Sequence, residues 1–592
     1  MKIKIMPVMD KRAEELAAEI KNEFERRQAE RAPFELQWQL NLKFLKGDQY
    51  CETNAAGRIE ETKNDFYWQE KEVYNHLAPI VETRLAKLNR VRPVMAVTPS
   101  SSDRDDLYTA KAATDVLEAA QNKLCMDGQT AAATMWSETC GTSFYKVTWD
   151  KQGGRKLTGG KNAAYEGEVC ITVCPPFEIY PDSCLASDLS ECRSLMHART
   201  LAPAAVRDKW GLGETAGPDE KVLVIEYYEL PSSDRPEGRL VITAGDALVF
   251  EGSLPYINGC DGKRGFPFVQ QKSCEVPGCF YGISVLERSI PIQRAYNAVK
   301  NRKHEFLNRI AMGVLAVEDG SVDIDGLEEE GLCPGKVVVY RAGSNPPVMM
   351  DTGRLPPEFT YEEDRLLREF ISISGVSEIM RNSSVPASNI SGIAIQLLIE
   401  QDDTRLAVAA QLIKNAVRTV SQHILRLYKQ FASTPRISRI TGKDGAIELI
   451  AWTKSDISSD DICFVTENEL SETPAQKRSM VFELLKAGLL HDENGRLSNS
   501  ARVKALDAIG FGLWENVQDL TGLHIKKAAL ENERLGKEDV TPSEIDDHAA
   551  HISEHIRHCL SSGENERILS HIREHKKFIS LTQQAEEGIN GK

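Results

Sequence analysis

Histidines give the most suggestive pattern in this chain. In DDHAAHISEHIRHCL, residues 546–560, His548, His551, His555 and His558 recur at i, i+3, i+7 and i+10. A helix carries all four on one face. His551 and His555 have the i, i+4 separation through which a helix can offer two imidazoles to one ion. His571 and His575 repeat it. The metalloprotease order H-E-x-x-H is absent, because the residues read H-I-S-E-H with Glu554 beside the second histidine. The sequence therefore favours a polar, partly buried helix face at a subunit contact. It assigns no metal ligand. A pH-sensitive contact is the other use for such a face, since histidine titrates near neutrality.

The second stretch is GGRKLTGGKN, residues 153–162. A phosphate loop needs G-x-x-x-x-G-K-[ST], so that backbone amides wrap the phosphates and the hydroxyl meets Mg²⁺. Here the glycine spacing is off by one, and Asn162 stands where the hydroxyl belongs. The residues that follow lead into a strand, so a hairpin tip after Trp149-Asp150 is expected. Neither G-x-S-x-G nor G-x-G-x-x-G occurs. The carboxylates form no nuclease or glycosidase pattern. No catalytic residue and no cofactor are assigned, and the weight moves to structural or interaction roles.

The bulk numbers point the same way. At 592 residues the chain is long enough for about three to five structural units. With 41% hydrophobic and 27% charged residues it reads as folded protein. A net charge of −16 suits a surface that keeps nucleic acid from sticking better than one that clamps phosphates. The 13 cysteines are scattered, and their closest spacings, Cys170–Cys174 and Cys274–Cys279, are not C-x-x-C. They read as reduced, mostly buried thiols rather than a zinc ribbon. The opening MKIKIMPVMDKRAEE has no apolar core of signal-peptide length, and no run reaches the ~18 apolar residues of a membrane span. A cytosol-like compartment and no membrane partner are expected.

The elements are legible in outline. Residues 10–46 have helical periodicity through Leu16, Ile20, Phe24, Leu36, Leu40 and Phe44, with Pro33 a candidate break and Gly47 the stop. A second helix starts near Asn75 and ends before Pro93. A third spans 103–140. From Gly141 the texture is β, through TSFYKVTWD, GEVCITVCPPFEIYPD, VLVIEYYEL and RLVITAGDALVFEG, to about 251. From Gly282 a basic helix carries Arg288, Arg294, Lys300, Arg302, Lys303 and Arg309. A turn-rich β insert covers Gly313 to Pro356. An acidic helix follows with Glu358, Glu362, Glu363 and Asp364. The two helices pair side by side or form a hairpin with solvated faces. After the small, polar loop GVSEIMRNSSVPASN a very long helix runs from Ser391 to Ala432, on the order of 60 Å, interrupted at EQDDTR. A short β patch and a helical region from about Pro474 complete the chain.

In this order the segments resemble the portal proteins of tailed bacteriophages, most like those of short-tailed phages. Trp38, Asn41, Phe44, Gly47, Gln49 and Tyr50 look like the family's W-x-x-N-x-x-F-x-x-G-x-Q-aromatic opening. NHLAPIVETRLAKLNRVRP resembles its next helix. GTSFYKVTWD and VCPPFEIYPD resemble its wing strands. The likeness spans roughly 30–580. It implies an α+β, mainly helical protomer with wing, stem, β-rich clip and helical crown, assembled as a ring. The implied divisions are wing 1–281, stem helix 282–312, clip 313–356, second stem helix 357–374, channel-facing loop 375–390, long helix and return 391–470, and crown 471–592. No extended C-terminal barrel is expected.

The resemblance further implies a ring, usually of twelve copies, at one capsid vertex in the virion, assembled in the host cytoplasm. Its expected partners are itself, capsid and scaffolding protein, terminase, head-completion and tail adaptor proteins, and double-stranded DNA held without sequence preference. Arg381, Asn382, Ser383 and Ser384 in the loop, with Lys300 and Lys303 on the stem, are the candidates to face DNA. Twelve copies at −16 apiece carry about −190 formal charges, a wall along which phosphate slides. The rival readings are another virion structural protein, such as a minor head or tail component, and a packaging enzyme. The latter lacks its nucleotide loop and its carboxylate set.

Overall fold

The computed structural model describes residues 11–54, 57–62, 71–93, 95–99, 103–157, 164–210, 221–259, 262–312, 314–330, 337–350, 354–376, 392–441, 447–457, 459–464, 481–487, 520–535, 539–563 and 566–590. The chain divides into two compact units. The first is Met1–Ile440 with Leu449–Ser471, and the second is Thr441–Glu448 with Glu472–Lys592.

The first unit opens on helix α1 (Lys11–Lys46), which buries Leu16, Ile20, Phe24, Trp38 and Phe44. Pro33 does not break it. A mid-helix proline costs about 3 kcal/mol, but here the helix is gripped on both sides. Arg31, 1% exposed, donates to the carbonyls of Pro176, Phe177 and Ile179 at 3.1, 2.9 and 3.1 Å and reaches across the proline to Glu35 at 2.8 Å. Helix α2 (Leu77–Leu88) follows. The expected helix over 103–140 is two helices, α3 (Arg104–Lys123) and α4 (Met126–Cys140). They are divided at Cys125, whose φ of 49° is left-handed and cannot continue a helix.

Two antiparallel sheets pack next to α1 and α4. The larger has the strand order Ala247–Gly252, Arg239–Ala244, Val222–Glu229, Ser194–Leu201, Ile179–Pro181. The smaller has Phe268–Lys272, Thr142–Asp150, Glu168–Cys174. Alternation along Thr142–Asp150 turns Phe144 into one core with Trp38, Leu195, Phe268, Phe280 and Tyr281. Tyr145 and Val147 face the other, with α3 and the long helix. The phosphate-loop lookalike pairs Lys156–Leu157 with Ala164–Tyr165 in an antiparallel hairpin, so it joins strand to strand. A short helix, α5 (Pro203–Trp210), flanks the larger sheet through Val206 and Trp210.

Between the sheets lies a buried polar centre. Lys146 Nζ donates to Glu226 Oε2 at 2.5 Å, and Tyr228 donates to the same oxygen at 2.6 Å. His197, 1% exposed, has Nε2 3.0 Å from Glu178 Oε2 and 3.8 Å from Cys174 Sγ, and Nδ1 3.1 Å from Lys146 Nζ. Burial and the Lys146 charge disfavour the imidazolium. Cys174 and the Glu178 and Glu226 carboxylates outweigh them and raise its pKa to about 9.

Helix α6 (Val285–Met312) leaves this body and α8 (Glu358–Ser374) returns to it. The insert lies between them. Among the described residues it holds one strand pair, Val314–Ala316 with Val348–Met350, and a short helix, α7 (Ile324–Glu330). Helix α9 (Gly392–Phe431) runs through EQDDTR without a break. Asp403 is neutralised by Lys87 at 2.6 Å, and the Thr404 hydroxyl bonds back to Gln401 O at 2.7 Å. Its forty residues span about 60 Å. Leu406, Ala410, Ile413, Val417, Val420, Ile424 and Leu427 are buried along it.

The second unit contains α10 (Leu520–Leu535), α11 (His548–Ser562) and α12 (Glu566–Asn590). Asp547 caps α11 by accepting from Ala550 N at 3.1 Å. Much of the histidine face turns inward. His551, His555, His571 and His575 are each at most 2% exposed and lie inside this chain. The apolar core beside them is small, formed by Leu535, Cys559, Ile568 and Ile572. Among the described residues every cysteine is a free thiol, and no helix is long and apolar enough to cross a membrane.

Candidate channel site

Opposite charge sets the α6–α8 register. Lys300 and Lys303, one turn apart on α6, both reach Glu363 on α8, Lys303 at 2.8 Å, and Tyr296 donates to the same carboxylate at 3.3 Å. Burial pushes the Glu363 carboxyl up, and the two lysines outweigh it and hold it below the usual range. Phe306 and Phe359 continue the seam with ring centres 6.3 Å apart. The basic and acidic helices therefore pair within one chain. The two lysines proposed to face DNA are engaged with α8. Arg381, Asn382, Ser383 and Ser384 lie outside the described residues.

A ladder of amides that the sequence reading missed fixes α6 to the body. Gln293, Asn297 and Asn301 recur at i, i+4 and i+8 and are buried. Gln293 accepts from His76 N at 3.0 Å and donates to Tyr74 O at 2.8 Å. Asn297 donates to Gln49 Oε1 at 2.7 Å and accepts from Tyr74 N at 3.1 Å. Asn301 donates to the Tyr50 hydroxyl at 2.5 Å and to Glu72 O at 3.0 Å. The opening motif thereby acquires its physical roles. Trp38 packs on Phe177 and Tyr281, and Asn41 donates to Thr139 O at 3.0 Å. Gly47 turns the chain at φ 103°, and Gln49 and Tyr50 receive the ladder. The signal was present as three amides on one helix stripe, where apolar residues are the norm.

The root of α6 is a contact between two glycines. A Cβ on Gly141 would lie 2.1 Å from Gly282 O, and one on Gly282 would lie 2.6 Å from Gly141 O. Gly282 N also donates to the Thr142 hydroxyl at 2.7 Å. No side chain fits on either backbone without moving the other.

Helix α2 holds both flanks of the loop that bears Arg381. Arg84 pairs with buried Glu138 at 2.6 Å and donates to Ser374 O, the last carbonyl of α8, at 2.9 Å. A cation at a helix C-terminus is favourable. Gly375 then ends α8 in a left-handed turn at φ 68°. One turn along α2, Lys87 holds Asp403 on α9 at 2.6 Å. Arg405 on α9 reaches back to Ile371 O at 3.3 Å.

Metal-type side chains converge in three places among the described residues. They are Cys174 with Glu178 and His197; Glu531 with His551, His555 and His575; and His524 with Asp546 and His551. In the first group Lys146 stands beside one ring nitrogen and Glu178 meets the other.

A helical hairpin held to its body, an insert between its two helices, and a forty-residue helix follow one another in this order. Residues 232–475, which contain these helices and the insert, match the family model described as phage P22-like portal protein. Among solved structures, the neck of an empty GTA particle computed with C6 symmetry aligns at 11% identity and a TM-score of 0.35, covering 73% of this chain and 90% of the other. No curated protein matches.

Proposed function

We propose that this chain is the subunit of a portal ring, the channel and docking platform at one capsid vertex through which the genome is packaged and ejected. The observation that carries this reading is the family match over residues 232–475, which covers stem, insert, loop and long helix as one ordered block. Exposed apolar side chains fit assembly. Val337, Val339, Val348, Met349 and Met350 of the insert are all more than half exposed in the single chain. In a ring they meet neighbouring subunits. Twelve copies, terminase at the insert, head-completion and tail adaptors, and capsid or scaffolding protein at the rim are the partners of this reading. The channel wall carries net negative charge past which DNA slides. Arg381, once per subunit, adds a positive ring.

Negative-stain images of the purified protein test the reading directly. Rings with a central hole support it. A monodisperse monomer under assembly-promoting conditions, with ATP turnover, overturns it. Arg381→Glu then tests the loop: DNA retention or packaging changes while ring formation does not. Unchanged packaging removes the loop from the channel.

A further inference from the structure

We propose that Glu531, His551, His555 and His575 form a structural site for one divalent transition-metal ion, zinc in the first instance, at the centre of the second unit. Each of the three helices supplies ligands. Glu531 comes from α10, His551 and His555 from α11, and His575 from α12. Their donor atoms all lie within 4.8 Å of one another. His551, His555 and His575 are 0% exposed and Glu531 5%.

The argument rests on polar atoms left without a partner. Glu531 Oε2, both ring nitrogens of His551 and Nε2 of His555 are buried and make no hydrogen bond. Buried polar groups are rarely left unsatisfied, so an occupant is expected. These atoms also face one another. His551 Nδ1 is 3.0 Å from Glu531 Oε2, His571 Nε2 is 3.6 Å and His555 Nε2 is 3.8 Å. Neighbouring ligands around a tetrahedral ion with bonds of 2.0–2.1 Å stand about 3.3 Å apart.

Hydrogen bonding on the far side of the rings orients the lone pairs. His555 donates through Nδ1 to Asn532 Oδ1 at 2.7 Å, which leaves a bare Nε2 facing a carboxylate oxygen. Two such acceptors repel unless a cation lies between them. His571 donates through Nδ1 to Val540 O at 2.8 Å, so its Nε2 accepts from His575 Nε2 at 3.1 Å, a hydrogen bond that a bound ion would replace. His575 has His548 at its Nδ1, 2.8 Å away. A ring with one nitrogen bonded to a carbonyl, amide or second imidazole and the other turned inward is how metal-ligating histidines are held. Lys527 does not fill the gap. It sits on Asp546 at 2.5 Å and approaches only the other oxygen of Glu531, at 3.6 Å.

Protonation agrees with this geometry. Burial, then the neighbouring histidines, lowers His575 to about 3, and burial, then His571, lowers His555 to about 4. Burial pushes the Glu531 carboxyl up, but its cationic neighbours, Lys527 among them, outweigh it and hold it below its usual value. Three neutral imidazoles and one carboxylate are a deprotonated donor set at neutral pH. Three nitrogens, one oxygen and no thiolate suit zinc and its first-row neighbours. Four protein ligands with no solvent access make the site structural rather than catalytic. It joins three helices whose shared apolar core is small.

The test uses the untagged full-length chain, expressed and purified with zinc present and without nickel resin. Elemental analysis after gel filtration is expected to find close to one zinc per chain. His551→Gln/His555→Gln is expected to reduce this at least tenfold, whereas His304→Gln, in the first unit, retains it. Because the double variant can misfold, the wild type is also stripped with chelator and titrated with cobalt. The intense visible bands of four-coordinate cobalt, displaced by one equivalent of zinc, support the site. Wild-type protein without stoichiometric metal, cobalt spectra of the six-coordinate aquo ion, or a double variant that keeps its zinc each overturn it. The result is independent of ring formation.

Discussion

His197 and His551 are both fully buried and both face carboxylates, yet their surroundings are opposite. Around His197 each ring nitrogen has a neighbour from the protein itself, and Glu226 is shared by Lys146 and Tyr228. The centre is closed, and Cys174 and the neighbouring carboxylates raise the histidine's pKa to about 9 against its burial and the Lys146 charge. Around His551 the carboxylate oxygen and the ring nitrogens converge without bonding one another. That centre is open, and its histidines are held neutral. The contrast shows that residue types do not decide whether a polar cluster takes a ligand. What decides it is whether the protein has already supplied a counterpart for every donor and acceptor.

Removing one member of the closed centre should cost most. Glu226→Leu leaves Lys146 and His197 without their counter-charge, a loss of roughly 3–5 kcal/mol. Denaturant titration should show it in the transition of the first unit. A cost under about 1 kcal/mol would mean that the network is not closed. The open centre should respond instead to its ligand. At free zinc one hundred times the dissociation constant, binding contributes about 2.7 kcal/mol. Chelation should therefore lower the melting transition of the second unit and leave the first unchanged. Equal shifts in both would erase the distinction.

The pH responses should have opposite signs. The His197 pKa is raised to about 9 from an ordinary value near 6.5, so its contribution is full below that value and fades as pH rises through 9. In the metal-stripped second unit His555 is lowered to about 4, so its contribution is full above 6.5 and fades as pH falls through 4. Melting curves of the two units across pH 4–9 should diverge at the two ends. The smallest effect is expected from Asn532→Leu, which frees the His555 ring while sparing every proposed ligand. Zinc affinity should fall about 10–100-fold, read by competition with a chelating dye. No change would move Asn532 from orienting residue to bystander.

Periodicity carried much of the helical outline, because α1, α6, α8 and α9 each bury an apolar stripe that recurs at helical spacing. What escaped depends on partners far along the chain. Asp403 looked like an interruption of α9 because Lys87, its partner, is 316 residues away. Pro33 looked like a break because the carbonyls that hold Arg31 belong to a distant strand segment. Lys300 and Lys303 looked free because Glu363 lies beyond the insert. The histidine stripe was visible, but Glu531, which turns it into a ligand set, carries no local mark. The split at Cys125 had no signal, since a left-handed cysteine is uncommon and nothing nearby announces it.

Arg84 and Lys87 lie one turn apart on α2, so the end of α8 and Asp403 of α9 are held by one short stretch of one helix. A pull on α8 at Ser374 and a pull on α9 at Asp403 meet in the same turn of the same helix. The two anchor points therefore tilt together rather than spread.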